Sequence, residues 1–209
     1  MKKYMDKLSK NIHVNKNLFV FLLIILLVGV TSGAVFATIL DSNDKQLVLN
    51  YLNDFFNNVK NDKLAYNTSL VNTLIFTVGF AILIWILGIS VIGFFLVLFM
   101  LFIKAFVLGF SLSSIIINYK LKGLLLGLLY VFPHQIINVL VFIMLCAYSL
   151  ILSFRIICCF NGKKSLNFKN IINRYIIVLL ISIVVLIITS LYETFIMPYI
   201  LNFVLELLK

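Results

Sequence analysis

The chain has 209 residues, 63% of them hydrophobic and only 11% charged, with a formal net charge of +10, and a mean hydropathy of +1.17. A soluble domain of this composition would expose apolar patches far beyond what a monomer tolerates, so the solvent must be lipid. Its apolar runs are unbroken, which excludes the alternating strands of a membrane barrel and leaves helices that satisfy their own backbone hydrogen bonds.

The predicted class is therefore all-α, a polytopic integral membrane protein of about five spans in one membrane domain over residues 18–209. The positive charge does not point to nucleic acid. Lysines and arginines gather at the ends of apolar blocks, where they set orientation and meet anionic headgroups.

Residues 1–17 form a basic tail, with Lys2, Lys3, Lys7, Lys10 and Lys16 against Asp6, a net of +4. The block 18–40 follows and predicts the first span. At about 23 residues it is too long for the apolar core of a signal peptide, so it reads as an uncleaved helix.

Residues 41–69 are the one extended polar stretch. Asp41, Asp44, Asp54 and Asp62 stand against Lys45, Lys60 and Lys63. Within it Val48, Tyr51, Leu52, Phe55, Phe56 and Val59 recur at helical spacing, and Asn50, Asn53, Asp54 and Asn57 take the other side. The pattern predicts an amphipathic helix. It either rests on the membrane or bundle, or offers Val48, Leu52, Phe55, Phe56 and Val59 as a partner-binding loop.

The stretch 70–117 would be about 70 Å long as one straight helix, so it must fold back. The run Gly88-Ile89-Ser90-Val91-Ile92-Gly93 is its weakest helical point. Spans are predicted at 70–87 and 94–117. Lys120 and Lys122 then introduce 123–154, which holds Pro133 and is expected to be a broken helix with an irregular link after residue 132. A basic loop, 155–174, and a last span, 175–192, follow, then Glu193, Pro198 and an amphipathic tail.

The positive-inside rule puts the N-terminus and the 155–174 loop in the cytoplasm and the 41–69 loop outside. It leaves Lys120 and Lys122 outside. A rival arrangement, with residues 105–132 as a re-entrant loop, would keep those two lysines inside.

Lys104 is the costliest residue, because a lysine near the bilayer centre costs on the order of 2.5–3.5 kcal/mol on insertion scales. Pro133, His134, Gln135 and Asn138 fall at a similar depth from the opposite face. The five residues are expected to form a mid-membrane polar cluster, with carbonyls freed by Pro133 accepting from Lys104. Such a cluster serves as a packing clamp or, as in broken-helix transporters, as an ion or substrate site. Glu193 is expected near the outer edge of the membrane.

Gly29 and Gly33, and Gly123 and Gly127, form two GxxxG patterns; with Gly88, Gly93 and Gly109 they are candidate helix-packing positions, within the chain or between copies in a homo-oligomer. No nucleophile–base pair, phosphate loop or metal-ligand set is present in the sequence, and Cys146, Cys158 and Cys159 lack ligand spacing. No cofactor and no enzymatic activity are expected.

The stretches Trp85-Ile86-Leu87-Gly88-Ile89-Ser90-Val91-Ile92-Gly93 and Lys104-Ala105-Phe106-Val107-Leu108-Gly109-Phe110, the Pro133 segment, Arg174-Tyr175 and the Glu193–Pro198 region resemble, in order and spacing, the stage II sporulation protein M family. The family often carries Gly where Ala105 stands, and Pro where Phe94-Phe95 stand. The resemblance implies a multi-pass protein of the bacterial cell membrane, in the mother-cell membrane at the sporulation septum. There it would act as a scaffold anchoring two peptidoglycan-degrading partners, stage II sporulation proteins P and D, during engulfment. The alternative from the residues alone is a transporter or channel-like permease subunit built on the mid-membrane cluster.

Overall fold

The structure is a computed structural model that describes residues 16–60, 66–90, 92–160 and 168–207. Most of the basic tail, Lys163 and Lys164, and the side chains of Cys158 and Cys159 lie outside the described residues.

The described chain is helical throughout: α1 (Lys16–Ile39), α2 (Ser42–Lys60), α3 (Tyr66–Gly88), α4 (Gly93–Leu126), a π-helical stretch Gly127–Val131, α5 (Phe132–Phe160), α6 (Phe168–Leu191), a second π-helical stretch Tyr192–Ile196, and α7 (Met197–Leu207). Five segments are long and apolar enough to cross a membrane: Lys16–Ile39, Thr68–Gly88, Gly93–Leu129, Pro133–Ile157 and Ile172–Phe203. The protein is an all-α polytopic membrane protein. Large apolar side chains cover its outer surface, Phe76, Phe95 and Ile75 among them, as lipid solvation requires.

The core lies around α5. Phe142, Leu145, Cys146 and Leu150 are fully or almost fully buried there, packed with Ala81 and Ile84 of α3, Val97 and Leu101 of α4, Leu22 of α1 and Leu186 of α6. The closest helix pair is α1 with α4. Gly29 lies against Ala105 and the Phe102 carbonyl, Gly33 against the Phe106 and Phe110 backbone, and Gly109 against Val30. Contacts rise together in residue number, so α1 and α4 run parallel, as a first and third crossing must. Backbones approach this closely only where no Cβ intervenes.

At one end α3 and α4 are joined by a tight turn closed by Ile89 N–H to Ile86 O (3.1 Å) and Ser90 N–H to Leu87 O (3.0 Å). At the other end the sharp reversal falls at Lys120, whose φ of 52° and ψ of −127° break α4. A non-glycine residue with positive φ carries strain that its surroundings must hold in place. Beyond it the chain returns along α4, with Gly123 against the Ile115 carbonyl and Gly127 against Leu112. Residues 105–119 continue α4 up to that reversal. Tyr119 donates to Asn53 Oδ1 of α2 at 2.5 Å, which puts Lys120 at the same end of the bundle as α2.

Two expectations are corrected. The break expected at Pro133 is not an irregular link; it is the π-helical stretch Gly127–Val131, and Pro133 is the second residue of α5. The last crossing does not stop near Tyr192 but continues through Tyr192–Ile196 into α7, where Pro198 is again the second residue. The physical reason is common to both. A wide π turn makes room for the proline ring and absorbs its missing N–H donor, so the helical path bends without unwinding.

Candidate functional site

Lys104 of α4 projects into the bundle, not to lipid. Its amine stands 5.2 Å from the Phe80 ring centroid and 5.1 Å from that of Phe142. Those two rings meet edge to face, 5.5 Å apart. A cation over two ring faces in a desolvated place gains on the order of 2 kcal/mol, which offsets much of its insertion cost. Glu193 adds a coulombic attraction from beyond direct ion-pair contact. His134 Nε2 lies 3.8 Å from Glu193 Oε2, and the His134 side chain is only 3% exposed. One turn on, Asn138 Oδ1 accepts from Thr189 Oγ1 at 2.6 Å.

The expected cluster is thus partly regrouped. His134 and Asn138 are buried on α5, Gln135 is half-buried and Pro133 is exposed, while Lys104 stands over the Phe80 and Phe142 rings. The carbonyls that Pro133 was expected to free are not what the Lys104 amine meets; it stands over the Phe80 and Phe142 rings. Sequence reasoning missed Glu193 and Thr189. The signal for Glu193 was present: the sequence stays apolar through Phe195-Ile196-Met197 and beyond, so the crossing extends past the acid. Beside Glu193, the hydroxyls of Ser190 and Thr194 are buried and lack a hydrogen-bond partner.

A second arrangement locks the α3–α4 turn. Tyr175 of α6 donates to Trp85 O at 2.7 Å and its ring stacks on Trp85 at 5.4 Å. Tyr175 has one proton and gives it to that carbonyl, so Ser149, 2.8 Å away, donates to the phenol oxygen. Ser153 reaches Gly88 O at 2.8 Å and Ser90 O at 3.1 Å. Gly88 must be glycine, since a Cβ there would overlap Tyr175 and Ser149. Gly93 is pressed against the Leu87 backbone in the same way.

The third element is α2. Its inner face seats on the Lys120 hairpin and on α7: Phe56 (8% exposed) and Val59 (1%) pack with Ile115, Leu126, Val131 and Leu201. The Phe56 and Tyr119 rings meet edge to face at 5.3 Å, and Asn202 Nδ2 donates to Val59 O at 3.4 Å. Phe56 and Val59, expected in a partner-binding loop, are therefore interior residues. Val48, Leu52 and Phe55 are half-buried. The apolar groups α2 leaves outward are Leu47, 56% exposed, and Tyr51, 76% exposed, among Asn50, Asp54 and Asn57.

The blocks that carried the resemblance therefore meet in space. Trp85–Gly93 and Tyr175 close one end, Lys104–Phe110 forms the α1 seam, and His134 of the Pro133 segment meets Glu193. The family model for stage II sporulation protein M matches residues 21–198. The chain belongs to the stage II sporulation protein M family. It is a multi-pass sporulation membrane protein. No curated protein and no solved structure matches it.

Proposed function

We propose that this stage II sporulation protein M family member is a scaffold, not an enzyme. It would sit in the mother-cell membrane at the sporulation septum and anchor and localise peptidoglycan-degrading partners, stage II sporulation proteins P and D, during engulfment. The observation that carries this reading is how polar chemistry is distributed. Inside the bundle, Tyr175, Ser149, Ser153, Asn138 and Thr189 bond one another and backbone carbonyls. Outside it, α2 holds Leu47 and Tyr51 clear of the bundle on a polar face, on the side that the positive-inside rule assigns to the cell exterior. An exposed aromatic with an apolar neighbour is the kind of anchor that dominates a protein interface.

The test is recruitment of a fluorescently tagged partner to the septum in cells carrying Tyr51→Ala and Leu47→Glu. Both residues are exposed, so the variant should fold and insert as the parent does, while septal partner signal falls at least several-fold. Unchanged recruitment refutes the docking role of α2.

The buried Lys104 and Glu193 favour a second reading, a permease-like subunit. It requires Lys104→Met to abolish function with partners still recruited; a silent Lys104→Met removes it.

A further inference from the structure

Beside the tight α1–α4 seam the two helices leave a groove of about 260 Å³, lined by Ala34, Val35 and Thr38 of α1 and by Ser113, Ile116 and Ile117 of α4. Both walls belong to membrane-crossing segments, and Val35, Thr38, Ile116 and Ile117 are exposed. The solvent on that face is lipid, since the hydrocarbon layer holds no water. An acyl chain therefore fills the groove. The groove ends where the crossings end: Thr38 is the last residue but one of α1, and Ile117 stands three residues before the reversal at Lys120. Two cations mark that end. The half-buried Lys45 turns its amine to the carbonyl of Thr38 at 2.8 Å, and not to the carboxylates of Asp41 or Asp44. An ammonium has three donors, so this bond leaves two for another acceptor. Lys120, exposed, is the next position along the groove face of α4, four residues after Ile116 and seven after Ser113. Its φ of 52° and ψ of −127° suit glycine. A lysine holds strain there that glycine would not, which marks its side chain as the reason for its place.

We propose that the α1–α4 groove is a binding site for a glycerophospholipid, with one acyl chain between Ala34 and Ser113 and the phosphate at the membrane surface meeting the amines of Lys45 and Lys120. Lysine suits this task because its stem lies along apolar surface while its amine reaches the headgroup layer. Basic positions beside a groove between membrane helices select anionic headgroups in this way. The site also gives a use to a cation at Lys120, which the positive-inside rule leaves on the outer side. The inference needs only the bilayer and stands whether or not α2 docks a partner.

The experiment uses the purified full chain in uncharged detergent. The probe is phosphatidylglycerol with a photoreactive group in one acyl chain, and crosslinked peptides are located by mass spectrometry. Label should concentrate on residues 34–38 and 113–117, several-fold above the exposed face of α6 at Leu180, Ile181, Val184 and Ile188. Unlabelled phosphatidylglycerol should compete. A diglycosyl diacylglycerol, which has the chains without the phosphate, should not, and neither should inorganic phosphate, which lacks the chains. Lys45→Gln combined with Lys120→Gly should lower groove labelling several-fold, and Lys45→Arg combined with Lys120→Arg should retain it. Glycine suits the backbone at position 120, and native Cys146, fully buried, reports the fold by staying unmodified under a permeant maleimide. Should the glutamine–glycine variant expose Cys146, Ser113→Phe, which fills the groove with both amines in place, must lower the labelling instead. Label spread evenly over the lipid-facing helices overturns the proposal. So does equal competition by the glycolipid, competition by inorganic phosphate, or undiminished labelling of a folded variant.

Discussion

Replacing Gly109 by alanine puts the α1–α4 seam under a measurable load. A methyl group built there would overlap the Val30 carbonyl oxygen and lie 2.8 Å from its carbonyl carbon and Cα, where ordinary contact begins at 3.4 Å. The carbon contacts alone require the helices to part by about 0.6 Å, and the oxygen requires more. A gap of that size forfeits a quarter or more of the dispersion energy along the contact. The atoms met are backbone, which cannot swing aside, so the overpacking cost belongs near the upper part of the usual range of about 1–3 kcal/mol. Alanine's better helix propensity offsets roughly 1 kcal/mol of this. The expected net loss is about 1–2 kcal/mol. Gly79→Ala is the matched control. Nothing lies within 4 Å of its added methyl, so it should gain up to about 1 kcal/mol from propensity alone. Equilibrium unfolding of the detergent-solubilised protein measures both. Equal stabilities for the two variants would refute the claim that glycine is needed here for close approach.

Tyr175→Phe removes the donor to Trp85 O and leaves Ser149 only the Ile84 carbonyl, at 3.4 Å. Hydrogen bonds between membrane helices average about 0.6 kcal/mol and reach about 1.7, so a loss of about 1–2 kcal/mol is expected in the same unfolding assay. Tyr199→Phe, at a position 69% exposed, should be neutral. For orientation, Leu47→Cys and Leu121→Cys should react with an impermeant reagent in intact cells, and Ser90→Cys only after permeabilisation. Labelling of Ser90→Cys from outside would invert the topology.

Membrane class and the five crossings were legible in the residues because they depend on local quantities. A run of some 20 apolar residues lowers its free energy in lipid whatever its neighbours are, and lysines at its ends mark where it stops. The glycines were legible as packing positions, yet the GxxxG pattern could not say what it packs against. Gly29 and Gly33 found α4 of the same chain, through Ala105, Phe106 and Phe110. Pro133 was legible as an irregularity, but its outcome, a π turn rather than an unwound link, depends on what the surrounding helices tolerate. Phe56 and Val59 read equally well as a docking face or as a packed face, since amphipathicity fixes a face and not its occupant.

From the amino-acid order alone came the solvent of this protein, its all-helical class, the number of its crossings and its family, because each rests on composition and spacing along the chain. Only the tertiary structure decided that Glu193 faces His134, that α2 rests on α7, and that the chain reverses at Lys120. Those outcomes depend on complementarity between segments tens of residues apart, which no window along the sequence contains.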